Sequence, residues 1–252
     1  MENFSQNSAP QSSDPLKPAR RRLPAWAIGL IFIGALGACA VLAAGIAGFI
    51  WYNTSQQAAA TLTLIPDTTA TVSASDLKLV QSILQQRLDH YPLRGAKVQV
   101  KGDHLEMTLT DAGQTSTATR LAAARGLFQI VDAGSTPLKE GSSVPTSLKV
   151  ILTNNDVKEA KASVDSTGRA IVEFQLTQDA TARFFTHTST NVGKYAAIII
   201  DGKVLSCPII QSAIPGGKAV ISSNLTQDDA RVLASQIASQ PLPFRFNVMP
   251  AK

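Results

Sequence analysis

His90, His104 and His187 are the residues best able to move protons near neutral pH in this chain of 252 residues. No two of them share a helical face with a carboxylate, so neighbours in sequence do not assemble an acid–base pair. His187 stands among Thr186, Thr188, Ser189 and Thr190, which raises a Ser/His hydrolase. No Gly-x-Ser-x-Gly elbow is there to present a nucleophile, and surface or half-exposed imidazoles are the plainer reading. Pro215-Gly216-Gly217-Lys218 has neither the length nor the Ser or Thr of a phosphate-binding loop. No Cys/His set has zinc spacing. Cys207, with strand-like sequence on both sides, reads as a small buried residue rather than a nucleophile. Asp201-Gly202 is a turn first and a ligand second. Phe174, Phe184 and Phe185 read as core, with the lining of a peptide groove as the sharper alternative, and Lys158, Glu159 and Lys161 as a solvated helix surface. These residues predict no enzyme, no cofactor and no metal centre.

The segment from Pro24 to Tyr52 constrains where any function takes place. It is an apolar run without charge, preceded by Arg20-Arg21-Arg22, with Trp26 near one end and Trp51-Tyr52 at the other. A helix needs about 20 such residues to cross a bilayer core. Aromatic rings favour the headgroup level and a basic cluster stays in the cytoplasm. The expectation is one transmembrane helix in a bacterial cell membrane, N-terminus cytoplasmic and bulk extracytoplasmic. A cleavable signal would have a shorter apolar core, about 7–15 residues. Leu36-Gly37-Ala38-Cys39 looks like a lipobox, so lipidation at Cys39 is the alternative anchor. Against it, Ala40 to Tyr52 stays apolar where a lipoprotein turns polar. From Asn53 onward 19 Lys and Arg face 16 Asp and Glu. No basic stripe with interleaved aromatics accompanies the net charge of +5, so nucleic acid is not an expected partner. Cys207 is the one cysteine of the outer part, which excludes an intramolecular disulfide there.

The outer part reads as alternating strands and helices. Thr61 to Ile65 alternates polar and apolar residues as a half-buried strand does, and Pro66 ends it. Asp76 to Tyr91 places Leu77, Val80, Leu84 and Leu88 at helical spacing, capped by Ser73 or Ser75 and stopped by Pro92. Lys97 to Val100 and Leu105 to Leu109 form a hairpin through Gly102-Asp103. A helix over 116–125 closes at Gly126, and Leu127 to Val131 is the last strand of a βαββαβ set, the order of a ferredoxin-like sandwich. The Gly, Ser, Thr and Pro of 134–147 read as a connector. Beyond it the spacing predicts a short helix over 155–163, a strand over 170–176 and a helix over 178–190. Strands over 195–200 and 204–210 flank Asp201-Gly202, and another strand covers 219–222. A last helix begins at the capping box Thr226/Asp229 and carries Ala230, Leu233, Ala234 and Ile237 as its apolar stripe.

The run Phe185 to Lys194, leading into Ala197-Ile198-Ile199-Ile200-Asp201-Gly202-Lys203-Val204, resembles the extracytoplasmic head of SecD. Cys207-Pro208, Ile214, Ile221, Asp229 to Ala234 and Leu242-Pro243 continue the likeness in order and spacing. Ile83 to Asp89 and Gly126 to Ile130 resemble the SecD base more weakly. SecD is an integral-membrane auxiliary of the Sec protein-export machine. The resemblance implies an α+β fold: a single N-terminal transmembrane helix, a ferredoxin-like base and a SecD-head-like α+β subdomain. The implied boundaries are a disordered cytoplasmic tail at 1–23, the membrane helix at 24–52 and a linker at 53–59. The base follows at 60–133, the connector at 134–147, the head at 148–243, and a C-terminal strand and tail at 244–252. The signature residues it marks, read as structural, are Thr188, Gly193, Asp201, Gly202, Pro208, Ala230, Leu233, Ala234, Leu242 and Pro243.

Departures shape the expected function. SecD carries further membrane helices whose ionisable residues couple a proton gradient to motion; none is expected before Lys252, and 25–51 has no acidic or basic residue to replace them. Ser223 and Gln240-Pro241 also stand where the family has Gly or a Gly-small pair. The leading expectation is a membrane-anchored binding module, auxiliary to Sec-dependent export, that holds emerging unfolded polypeptide but is not proton-driven by itself. Its partners would be the bilayer and the Sec translocon or a separate SecDF complex. A hinge is expected in the 134–147 connector. The alternatives are a cell-envelope scaffold that reuses the SecD fold without export clients, and an envelope hydrolase.

Overall fold

A computed structural model describes residues 59–93, 95–145 and 147–250. The expected tail, membrane span, Cys39 lipobox and most of the 53–59 linker lie outside these residues. Among the described residues no helix is long and apolar enough to cross a membrane.

The first elements are β1 (Ala60–Asp67), α1 (Ala74–His90), β2 (Lys97–Lys101), β3 (His104–Leu109) and α2 (Thr115–Ala123). Strand β1 turns Leu62 and Leu64 inward, as its alternation dictates. Ser73 is the cap of α1: its hydroxyl accepts the Asp76 amide at 3.2 Å and Asp76 accepts the Ser73 amide at 2.9 Å. This reciprocal pair satisfies two amides that helix geometry leaves free. Helix α1 then buries Leu77, Val80, Leu84 and Leu88 against the sheet.

The base differs from the expected sandwich in its fourth strand. Its sheet has the order β11-β1-β3-β2, where β11 is Arg245–Pro250, antiparallel to β1 from Leu62↔Pro250 to Asp67↔Arg245. The 127–131 strand, β4 (Phe128–Gly134), belongs instead to the head, at the centre of a sheet ordered β5-β4-β8-β9. That sheet also holds β5 (Val150–Thr153), β8 (Tyr195–Ile200) and β9 (Lys203–Ser206). Burial explains the exchange. Phe128, Ile130 and Val131 are buried on both faces of β4 and need cover on each side, whereas β11 buries Phe246 and exposes Arg245 and Asn247. An edge strand tolerates that pattern and the terminal Pro250.

A second head sheet has the order β10-β7-β6, from β6 (Val157–Val164), β7 (Ala170–Leu176) and β10 (Lys218–Ser222). The expected helix over 155–163 is therefore wrong. A 3-10 turn at Asn154–Asp156 leads straight into β6, which pairs with β7 along its length. Lys158, Glu159 and Lys161 favour helices in isolation, but pairing with β7 overrides that preference, and Ala160 and Ala162 are small enough for a helix to lie close. The strand expected over 204–210 also stops at Ser206; Pro208 breaks it, and Ile209 rejoins β8 by an isolated bridge to Tyr195.

The 134–147 connector is not a boundary between base and head, because both its flanks, β4 and β5, are neighbours in one head sheet. It folds over β9: the Gly141 amide donates to the Val204 carbonyl at 2.8 Å and the Val204 amide to Ser142 at 3.0 Å. Leu138, Val144 and Leu148 pack on Val131, Ala197, Ile199 and Val204. The loop thus closes the exposed edge of β9.

Helix α3 (Gln178–Thr190) and helix α4 (Gln227–Ala238) complete the head. Helix α4 serves two cores. Ala230, Leu233, Ala234 and Ile237 enter the head core, and Val232 enters the base core. At its N-terminus Thr226 and Asp229 make the expected capping box. Arg120 of α2 bonds Asp228 at 2.7 Å and Asp229, and the Tyr91 hydroxyl donates to Asp228.

Two outcomes test this architecture. Phe246→Ala should cost about 3–5 kcal/mol, the usual price of emptying a buried aromatic site, although it lies far in sequence from the rest of the base; chemical denaturation measures it. The Asp229 carboxyl is held below the usual range, first by the Thr226 hydroxyl and also by Arg120. Its contribution is complete above the unfolded value, about pH 4, and fades as pH falls through the folded one. Asp229→Asn should therefore lower stability at neutral pH by about 1 kcal/mol or less and flatten the acid limb of a stability-against-pH curve.

Candidate functional site

The head carries an apolar groove beside a strand edge. Of about 360 Å³, it opens between β10 and the segment 208–214, with Ile130, Phe174, Phe184 and Ile198 in its lining. Ile209 and Val220 stand at it 44% and 54% exposed. Lys218 is the one ionisable residue of the lining. Strand β10 pairs with β7 on one side, and no described strand pairs with the other. Two other edges are blunted. The 141–144 loop covers β9, and in the base Gln81 and Gln85 of α1 bond the outward carbonyl and amide of Val98 in β2, at 2.8 and 3.3 Å. Edge strands left bare beside apolar surface are ready templates for another chain.

All but one of the signature residues fall into three places. Thr188, Gly193 and Pro208 shape the groove. The buried Thr188 hydroxyl donates to the Phe184 carbonyl at 2.9 Å and accepts the Ile214 amide at 3.0 Å, fixing one groove wall to α3. Gly193, at φ +85°, turns the chain from α3 into β8 and donates its amide to the Ile210 carbonyl at 2.9 Å. A side chain there would cost about 1–2 kcal/mol in backbone strain. Asp201, Gly202 and Leu242 lie at the joint of base and head. Asp201 and Gly202 have φ of 50° and 79° and make the tight turn between β8 and β9. The Asp201 carboxylate also accepts the Leu127 amide at 2.8 Å. Leu242 is buried in the base core. Ala230, Leu233 and Ala234 are interior residues of α4, and Pro243 is exposed.

Several expectations separate here. Phe174 and Phe184 are core residues that also line the groove, whereas Phe185, expected with them as core, is 42% exposed and outside the lining. His187 is half-buried, its Nε2 enclosed without a hydrogen-bond partner, and burial pulls its pKa down. The hydroxyls near it bond carbonyls of their own helix: Thr186 to Ala182, Ser189 to Thr186, Thr190 to Thr186. Cys207 is half-buried and its sulfur accepts the Leu138 amide at 3.3 Å. Among the described residues no cluster of three or more His, Cys, Asp or Glu is arranged to hold a metal ion.

Sequence reasoning missed Asn154. Its amide group donates to the carbonyls of Gly126, Gln236 and Ser239 at 3.0, 3.1 and 3.0 Å, and its oxygen accepts the Phe128 amide at 2.9 Å. In sequence it is one more polar residue in a turn. All four partners are distant in the chain, so no local spacing marks it.

Residues 128–244 match the family described as SecDF, P1 head subdomain. The protein translocase subunit SecD of Sebaldella termitidis is 30% identical over 174 residues, covering 68% of this chain and 40% of the relative. SecD of Acidaminococcus fermentans is 37% identical over 99 residues, covering 39% and 24%. SecDF of Thermus thermophilus is 27% identical over 199 residues, covering 69% and 27%. The chain therefore spans less than half the length of these relatives. Two solved structures share the fold at 24% identity. SecDF in a super-membrane-facing form has a TM-score of 0.64 over 77% of this chain and 30% of that one. A SecDF chain described as a membrane component that enhances protein export has a TM-score of 0.61 over 76% and 99%. The sequence match over 128–244 and the shared fold agree on one conclusion: the described part of this chain is a SecD base and head region, its second half the P1 head subdomain of SecDF.

Proposed function

We propose that this chain is an extracytoplasmic auxiliary of bacterial protein export, held at the cell membrane by the apolar segment 24–52, whose head grips emerging polypeptide along β10. The observation that carries this reading is the unpaired edge of β10 beside an apolar groove. A chain added to that edge would be held by main-chain hydrogen bonds, which ignore sequence, while alternate side chains entered the groove. Such recognition suits a receptor for many unfolded clients, and the SecD and SecDF relatives support the export setting. Neither the groove nor His187 presents an activated nucleophile, so the reading assigns binding rather than turnover. Partners in the membrane, a Sec translocon or a SecDF complex, would supply any directed movement.

Photocrosslinking in cells tests the reading. A photoreactive residue is placed at Ile209, at Val220 and, as an exposed control away from the groove, at Phe185. Each is run with and without an export substrate stalled in the translocon. Adducts to the stalled chain at 209 and 220 but not at 185 are expected. Equal labelling at all three positions, or adducts to resident membrane proteins alone, would overturn polypeptide holding and leave the scaffold reading.

A further inference from the structure

The groove of the head lies between the edges of two sheets, and both edges turn main-chain groups toward it. On one side is β10. The Gly217 carbonyl accepts the Leu176 amide of β7 at 2.8 Å. Successive residues of a strand direct their main-chain groups to opposite flanks. Gly217, Ala219 and Ile221 therefore bond toward β7, whereas Lys218, Val220 and Ser222 turn away from it. No described strand meets them there.

On the other side is the segment 208–210, which continues the edge of the β8 sheet beyond β9. The Pro208 carbonyl accepts the Ala196 amide at 3.1 Å. The Ile210 amide donates to the Lys194 carbonyl at 2.8 Å, and its carbonyl accepts the Gly193 amide at 2.9 Å. Pro208 and Ile210 thus face β8. Ile209, between them and opposite Tyr195, turns its amide and carbonyl the other way.

Helix α3 holds both flanks in place. Gly217, at the start of β10, packs so closely on α3 that a Cβ there would run into the Thr181 side chain. The opposite flank is fixed to the same helix where Thr188 accepts the Ile214 amide. Between the flanks the buried Ile130, Phe174, Phe184 and Ile198 make an apolar floor with no side-chain hydrogen-bonding group. The space continues past Pro208 and Val220 into a cavity of about 250 Å³ bordered by Ser206 and Ser222. Beyond it the Ser223 hydroxyl donates to the Leu205 carbonyl at 3.5 Å, which brings the two edges together at one end.

We propose that the groove is a strand slot, in which a guest polypeptide is bonded on both flanks, alternate residues to Val220 and to Ile209, and joins the two head sheets into one. The proposal rests on the reading of the groove as a polypeptide site and names the class of client it takes. A chain held at one edge bonds through every second residue and tolerates proline at the others. A chain in the slot bonds through each residue, so the slot selects extended segments free of proline.

Backbone esters test this on the full chain in detergent. The probe is a short fluorescent peptide of Ser and Thr with one central Leu, whose register the apolar floor fixes. Replacing one amide by an ester removes a single N–H donor and keeps the shape of the chain. Esters are placed in turn at each residue around the Leu. Each of them, at odd and even positions alike, should weaken binding about fivefold, the effect of one ordinary hydrogen bond. An ester at the peptide's last residue should leave binding unchanged. The Ile209 and Val220 amides should both exchange with deuterium about tenfold more slowly when the peptide is bound. Weakening at every second position alone, with slower exchange at Val220 but not at Ile209, would overturn the slot and leave the grip along β10 intact. Binding that is absent, or indifferent to every ester, would overturn both.

Discussion

A peptide group taken out of water must find a partner, and this structure takes parts of two stretches of main chain, 124–127 and 239–242, out of water where base meets head, around the fully buried Arg87. Each stretch carries carbonyls that no helix or sheet satisfies. The fold meets that demand with donors of unusual capacity: a guanidinium with five N–H groups from one side and a carboxamide from the other. Gly126, Ser239, Asn154 and Asp201 have their roles because those carbonyls and amides lie where they do. The division into base and head is real in the sheets and the cores, but it does not extend to the joint.

Much of the fold was legible locally, and the reasons are specific. The β1 alternation, the apolar stripe of α1, the capping box before α4 and the Asp201-Gly202 turn are each decided within a few residues. What failed was decided far away. The 155–163 run looks helical until β7 lies beside it, and nothing within 127–131 says that its neighbour is β5 rather than β1. The 134–147 segment has a linker's composition, yet Leu138, Val144 and Leu148 bury it against β8 and β9. Of the site, Thr188 and Gly193 were marked by resemblance to SecD, but their work as wall and turn of the groove needed coordinates. Asn154 and the acceptors of Arg87 were invisible because every partner is dozens of residues away in the chain.

Edges explain why the groove stands out. A small α+β unit with three sheets has many strand edges, and each is a place where another chain can add. Here side chains of α1 occupy the Val98 main-chain groups of β2, and a loop covers β9. At β10 no described strand pairs with the outer edge, and the surface beside it is apolar apart from Lys218. Leaving that edge open risks aggregation, and a binding surface for extended chains is a physical reason to accept the risk.

The pairing of β1 with β11 has a consequence for how the molecule comes into being. The base sheet is built from residues near 60, near 100 and near 250, with the whole head threaded between its third and fourth strands in sequence. Contacts so distant along the chain are slow to close. A polypeptide made from its N-terminus must therefore carry β1 with one side unpaired until β11 has been synthesised. The head's sheets have by then received all their strands, so the base sheet is sealed only after the head has been supplied with its own.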